Sequence, residues 1–233
     1  MALLFRLRTI LPSASTNYFR GNRRRFLYAE SAAYDYCITY VKKHDYDSYL
    51  AGLLMPRELR PHFFALRAFN AEVAQVKDQT KGNPLTARMR FQWWRELLEE
   101  AFSSPLSPSS LSSSKLDHPV AAALVFTARH HSSSSSPLRR RWLERLLESR
   151  QADASSSQPP ASLSALETYC EQSCSSALYL ILDLMNVQQD AADRLASHVG
   201  VAAGLVTSLR SIPFLAAQVS KYTVVLLCTI YCT

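Results

Sequence analysis

The sequence predicts an all-α protein, and three observations carry that prediction. From Ser31 onward, apolar residues recur at spacings of three, four and seven, the pattern of a helix with one buried face. No β-type alternation of useful length occurs before residue 220. Glycine is scarce, with five in 233 residues, which removes the Gly-rich phosphate loop and the dinucleotide fingerprint from consideration. A content of 48% hydrophobic and 19% charged residues supports a sizeable core, so one domain with appendages is expected.

The chain opens on MALLFRLRTILPSASTNYFRGNRRRF, basic and rich in Ser and Thr. Residues 1–28 are read as a mitochondrial presequence and set aside from the fold. Residues 1–29 hold six arginines and no acid, leaving 20 basic and 19 acidic residues in the remainder. Six of the seven net positive charges therefore lie in residues 1–29, and the nearly neutral body offers no footprint for nucleic acid.

A first helix is predicted from Ser31, with Tyr34, Ile38 and Val41 inward and the cations Lys42, Lys43 and His44 at its end. A second runs from Tyr49 to Met55 and stops at Pro56. A third follows from Pro61, a residue suited to a first turn, to Asp78. Its stripe is Leu66, Phe69, Val73 and Val76, and Lys81-Gly82-Asn83-Pro84 ends it. The fourth spans about Leu85–Phe102, with Met89, Trp93 and Leu97 four apart. Adjacent Trp93 and Trp94 point about 100° apart, so one is expected in the core and the other toward a partner. Ser-rich linkers at 103–114, 132–136 and 155–160 separate further helices at His118–His131, Leu138–Arg150 and Leu163–Val187. The last, Gln189–Arg210, carries Gly200 and Gly204, which permit close helix approach. Arg139-Arg140-Arg141, followed by Glu144 and Glu148, reads as a solvated face. His130-His131, beside a serine run, reads as solvent-facing.

The motifs of several enzyme classes are missing. The six histidines form no HExxH, and no GxSxG occurs. Cys37, Cys170, Cys174, Cys228 and Cys232 include no CxxC and read as small buried hydrophobes. Cys170 and Cys174 lie one turn apart but lack a third ligand nearby.

Specific segments nevertheless point to a family. YLAGLLMPRELRPHFFALRAFN, the Tyr169-Cys170 pair within ETYCEQSCSSALYLIL, and Gly200 with Leu209-Arg210 resemble the squalene/phytoene synthase family over about residues 34–213. The resemblance implies an isoprenoid synthase-like helical bundle. Family enzymes join prenyl diphosphates head to head, using carboxylates at i and i+4 on two facing helices to hold Mg²⁺. Carried across, the first pair falls on Ala74 and Asp78, with Gln75 at the doubled Asp, Ala71 at the preceding arginine and Asn70 at the cysteine. The second pair falls on Ser211 and Leu215. The serine cluster that receives the diphosphate falls on Asp45 and Asp47, where acids are expected to repel an anion.

One of four metal-holding carboxylates thus remains. The resemblance implies a non-catalytic branch of the family in which no catalytic, metal or cofactor residue is assigned and no cofactor is needed. Its expected role is assembly of mitochondrial respiratory complex I, at the matrix face of the inner membrane, in contact with complex I subunits or other assembly factors. An isoprenoid lipid is a further candidate ligand. The alternative is a prenyl diphosphate-binding enzyme or head-to-head prenyltransferase with noncanonical metal ligands, for which Glu72 and Asp78 are the nearest carboxylates. After Ile212-Pro213, residues 214–233 depart from the family as an atypical tail, so a C-terminally truncated bundle is expected. The apolar run Val224–Ile230 is too short to span a bilayer.

Overall fold

A computed structural model describes residues 30–80, 83–103, 113–132, 137–156 and 160–218. The expected presequence, most of the linkers 103–114 and 132–136, half of the linker 155–160, Cys228, Cys232 and the run Val224–Ile230 lie outside the described residues. Among the described residues every regular element is helical.

Helix α1, residues 30–44, buries Ala33, Tyr34, Cys37 and Val41 along one face and ends on the expected cations. Asp45 alone separates it from α2, Tyr46–Leu53, and caps α2 by accepting from the Ser48 amide at 3.3 Å. The second helix therefore begins three residues before the predicted start, because a capping carboxylate was available. Helix α3, Arg60–Ala74, has Pro61 in its first turn, and Gln75 separates it from the short α4, Val76–Gln79. The predicted stripe of Leu66, Phe69, Val73 and Val76 is buried along its full length across that break.

Helix α5, Pro84–Ser103, is capped by Asn83, whose side-chain oxygen accepts from the Leu85 and Thr86 amides at 3.0 and 3.3 Å. Its buried face is Ala87, Phe91, Trp94, Leu97, Leu98 and Ala101. Met89 is exposed and Trp93 only half-buried, so the face is rotated from the line Met89–Trp93–Leu97. Trp94 takes the core position, edge-on to Phe69 with ring centroids 5.1 Å apart.

A short turn, α6 (Ser113–Leu116), leads to α7, Pro119–His131, the innermost helix. Every residue from Val120 to Ala128 is buried, as expected of a helix covered on all sides. Helices α3 and α5 both pack on it. Helix α8, Arg140–Ser155, inserts Leu143, Leu146 and Leu147 between α5 and the later helices.

The predicted helix from Leu163 to Val187 is one rod in three parts: α9 (Leu163–Cys170), a π-helical turn (Glu171–Ser175) and α10 (Ser176–Leu184). Helix α11, Asp190–Gln218, lies along this rod. It continues through Pro213, so the predicted tail begins as helix. Gly200 and Gly204 set the approach: a Cβ on Gly200 would sit 2.6 Å from the Ser175 Cα, and one on Gly204 2.6 Å from the Cys170 Sγ. The outer face of α11 carries exposed Leu195, Val199, Val206 and Leu209 at helical spacing. By length and composition, Asp190–Pro213 could cross a membrane, and 17% of its most apolar window is buried.

Candidate functional site

The positions to which the resemblance carries the family's metal ligands offer, among the described residues, a single carboxylate, Asp78. Ala74 closes α3, half-buried, and Gln75 lies in the break that follows. Asp78 is exposed on the short α4. Ser211 turns its hydroxyl inward on its own helix, donating to the Ser208 carbonyl at 2.7 Å. Leu215 continues the α11 backbone, and its side chain lies outside the described residues.

Asp45 and Asp47 are not the bare acids expected at a diphosphate site. Arg67 on α3 donates to the Asp45 carboxylate through Nε at 3.1 Å and also through Nη2. Arg210 approaches Asp47 at 3.8 Å, with both side chains largely exposed. The Asp45 charge is therefore neutralised within the fold, and this residue serves as a helix cap and an ion-pair partner. The ion pair does not show in a composition or motif, because Arg67 is 22 residues away in sequence.

A cluster beside this region joins α3, α5 and α7. Glu72 Oε1 lies 3.8 Å from His118 Nε2, and the imidazole of His118 sits 5.6 Å from both Trp93 and Trp94. The neighbouring His118 holds the Glu72 carboxyl below the usual carboxylate range despite its burial. His118 Nδ1 is meanwhile occupied as the cap of α7, accepting from the Ala121 amide at 3.4 Å. The imidazole is thereby fixed between structural partners.

The π turn organises a second cluster around Glu171. Its Oε1 accepts from the Tyr179 hydroxyl at 2.9 Å and lies 3.4 Å from Arg145 Nη2, while Oε2 accepts from the Ser197 hydroxyl at 2.9 Å. Burial would raise this carboxyl, but the surrounding hydroxyls and Arg145 outweigh it and hold it low. Glu171 thus ties α8, the π turn, α10 and α11 together. A single extra residue in the helix turn is invisible to periodicity, so sequence reasoning missed it.

Two expectations about surface groups are corrected. Arg139 does not belong to a solvated face: its Nε and backbone N–H donate to the buried Asp183 carboxylate at 2.7 and 3.1 Å. Arg140 does pair locally with Glu144, at 2.7 Å, and Arg141 lies over the Trp142 ring. His131 is only 7% exposed, packed with His130 and His62, although His130 itself is exposed as expected. The inward turn of His131 follows from its place at the end of α7, whose residues Val120 to Ala128 are all buried.

The expected burial of the cysteines is seen at Cys37 and Cys170, whereas Cys174 is only half-buried. Cys37 and Cys170 are buried, and burial pushes their thiols up to about 12 and about 11. Thiols so shifted are not nucleophiles.

Comparison with known proteins places these features. The squalene/phytoene synthase family description matches residues 41–222. Among curated proteins, the chain is similar to NADH dehydrogenase (ubiquinone) complex I, assembly factor 6 of Rattus norvegicus, with 38% identity over 77% of this chain and 49% of that protein. The Homo sapiens protein of the same name is 36% identical over the same shares. The Drosophila melanogaster homolog is 38% identical over 78% of this chain and 52% of its own. The chain spans about half the length of the curated relatives it matches. Among solved structures, squalene synthase HpnC from Alicyclobacillus acidocaldarius superposes with a TM-score of 0.62 at 22% identity, over 78% of this chain and 62% of that one. The expected isoprenoid synthase-like bundle is thereby the observed fold.

Proposed function

The chain belongs to the squalene/phytoene synthase family, and on that premise we propose that it works without catalysis, as an assembly factor for mitochondrial respiratory complex I. One observation carries the reading: of the positions where family enzymes hold Mg²⁺ by carboxylate pairs, Ala74, Ser211 and Leu215 have no carboxylate, and the remaining Asp78 stands exposed and alone. Hard cations need several oxygen ligands, and one carboxylate cannot clamp a departing diphosphate. At the position the resemblance gives to the diphosphate-receiving serines, Asp45 is committed to Arg67 and to capping α2, and Asp47 is a second carboxylate, so neither supplies a donor to an anion.

The names of the similar proteins support the same reading, as does the basic, acid-free leader. The chain would act in the matrix or at the matrix face of the inner membrane, with complex I subunits or other assembly factors as partners. The exposed apolar face of α11 is consistent with work at a lipid or protein surface. Residues 1–28 are the proposed presequence and residues 29–213 the proposed bundle domain.

The rival is a prenyltransferase with noncanonical ligands, and the two readings part on one assay. Purified full chain, given farnesyl diphosphate and Mg²⁺, is expected to release no pyrophosphate above a protein-free control. Turnover that disappears in Asp78→Ala would overturn the non-catalytic reading. Affinity capture of the tagged chain from mitochondria is expected to retrieve complex I subunits.

A further inference from the structure

His62, near the start of α3, meets His130 and His131, in the last turn of α7, with one ligand atom from each lying within 4.8 Å of the other two. The rings of His62 and His130 stack at 4.5 Å, and His131 stands edge-on to His62 at 4.9 Å. This is an unusual packing of three polar rings, and two observations beyond proximity point to a ligand.

The first is the Nε2 of His131. It is buried, lacks any hydrogen-bond partner, and belongs to a residue 93% removed from solvent. An imidazole nitrogen left so costs stability unless something occupies it. The second is the fixing of His62. Its Nδ1 lies 3.1 Å from the Tyr34 hydroxyl and 3.2 Å from that of Thr127, both buried. When Nδ1–H donates to these oxygens, Nε2 keeps its lone pair free, the arrangement by which a metal-ligating histidine is usually oriented.

We propose that His62, His130 and His131 form a binding site for a borderline divalent transition metal of the Zn²⁺ class. Three neutral imidazoles suit such an ion, whereas Mg²⁺ or Ca²⁺ would want oxygens. Zn–N bonds of about 2.0–2.1 Å in a tetrahedral site place ligand nitrogens about 3.3 Å apart, so the cluster must contract. The exposed His130 ring can swing to achieve this, and its exposure gives the ion a path in. The C-terminal end of α7 adds a favourable dipole for a cation. A fourth position is left for water. The site is separate from the family's carboxylate region, since His62 and Ala74 are 12 residues apart on α3, about 18 Å along the axis.

Cobalt provides the test, because its visible spectrum reports ligand type. Metal-stripped full chain titrated with Co²⁺ is expected to bind one ion, with the d–d bands of a four- or five-coordinate nitrogen site and no thiolate charge-transfer band, and Zn²⁺ should displace it. His130→Ala, a surface change, should keep the fold by circular dichroism and weaken binding about tenfold or more. His62→Gln should do likewise, while Cys170→Ser with Cys174→Ser should leave binding unchanged. Absence of stoichiometric binding, a thiolate band, or unchanged affinity in folded His130→Ala would each overturn the proposal.

Discussion

Two arginines one residue apart behave differently at the residue scale. Arg139 faces a carboxylate with no exposed side-chain surface, whereas Arg140 forms a half-exposed i,i+4 pair. Removing Arg139 leaves Asp183 with too little compensation, at a cost on the order of 3 kcal/mol, while Arg140→Ala should change stability by about 0.5 kcal/mol or less. Urea denaturation midpoints at constant slope measure both. The local charge pattern could not separate them, because Asp183 is 44 residues from Arg139. Glu72 gives a pH dependence at the same scale. Its carboxyl is held below the ordinary 4.5 by His118. Its stabilising contribution is thus fully present above 4.5 and is lost as pH falls through the lower folded value. Melting temperature should drop on that acid limb, and Glu72→Gln should make the drop shallower.

The helices and their inward faces were largely legible as elements, because a period of 3.6 written in large apolar residues survives any tertiary context. The stripe Leu66–Phe69–Val73–Val76 is an example, and so is the role of Gly200 and Gly204. Three features escaped. The rotation of α5 did, because Met89 is apolar yet exposed. The break at Gln75 and the π turn at Glu171–Ser175 did, because one residue of irregular backbone leaves the apolar spacing almost unchanged. The contact of α11 with that turn is unforgiving. A Cβ at Gly200 would approach the Ser175 N at 2.7 Å and Cα at 2.6 Å. Gly200→Ala should destabilise by about 1–3 kcal/mol. Adding Ser175→Ala should not restore stability, since backbone atoms remain in the way. Thermal melts of the single and double variants give the comparison.

For the whole molecule, the fold could be read through the family resemblance, and composition alone reached only the all-α class. The residue types at the positions that the resemblance gives to the carboxylates could be read from the sequence, since Ala74, Ser211 and Leu215 carry no carboxylate wherever they lie. What surrounds them needed the structure, because Arg67 on Asp45 and His118 beside Glu72 are long-range pairings. They make Asp45 and Glu72 parts of the scaffold. The central claim is that this family fold now serves complex I assembly without catalysis. Its most direct test is the amount of assembled complex I in cells lacking the chain, complemented with the wild-type chain or with Asp78→Ala. The account predicts selective loss of complex I on deletion and equal restoration by both. Normal complex I after deletion, or restoration by wild type alone, would contradict it.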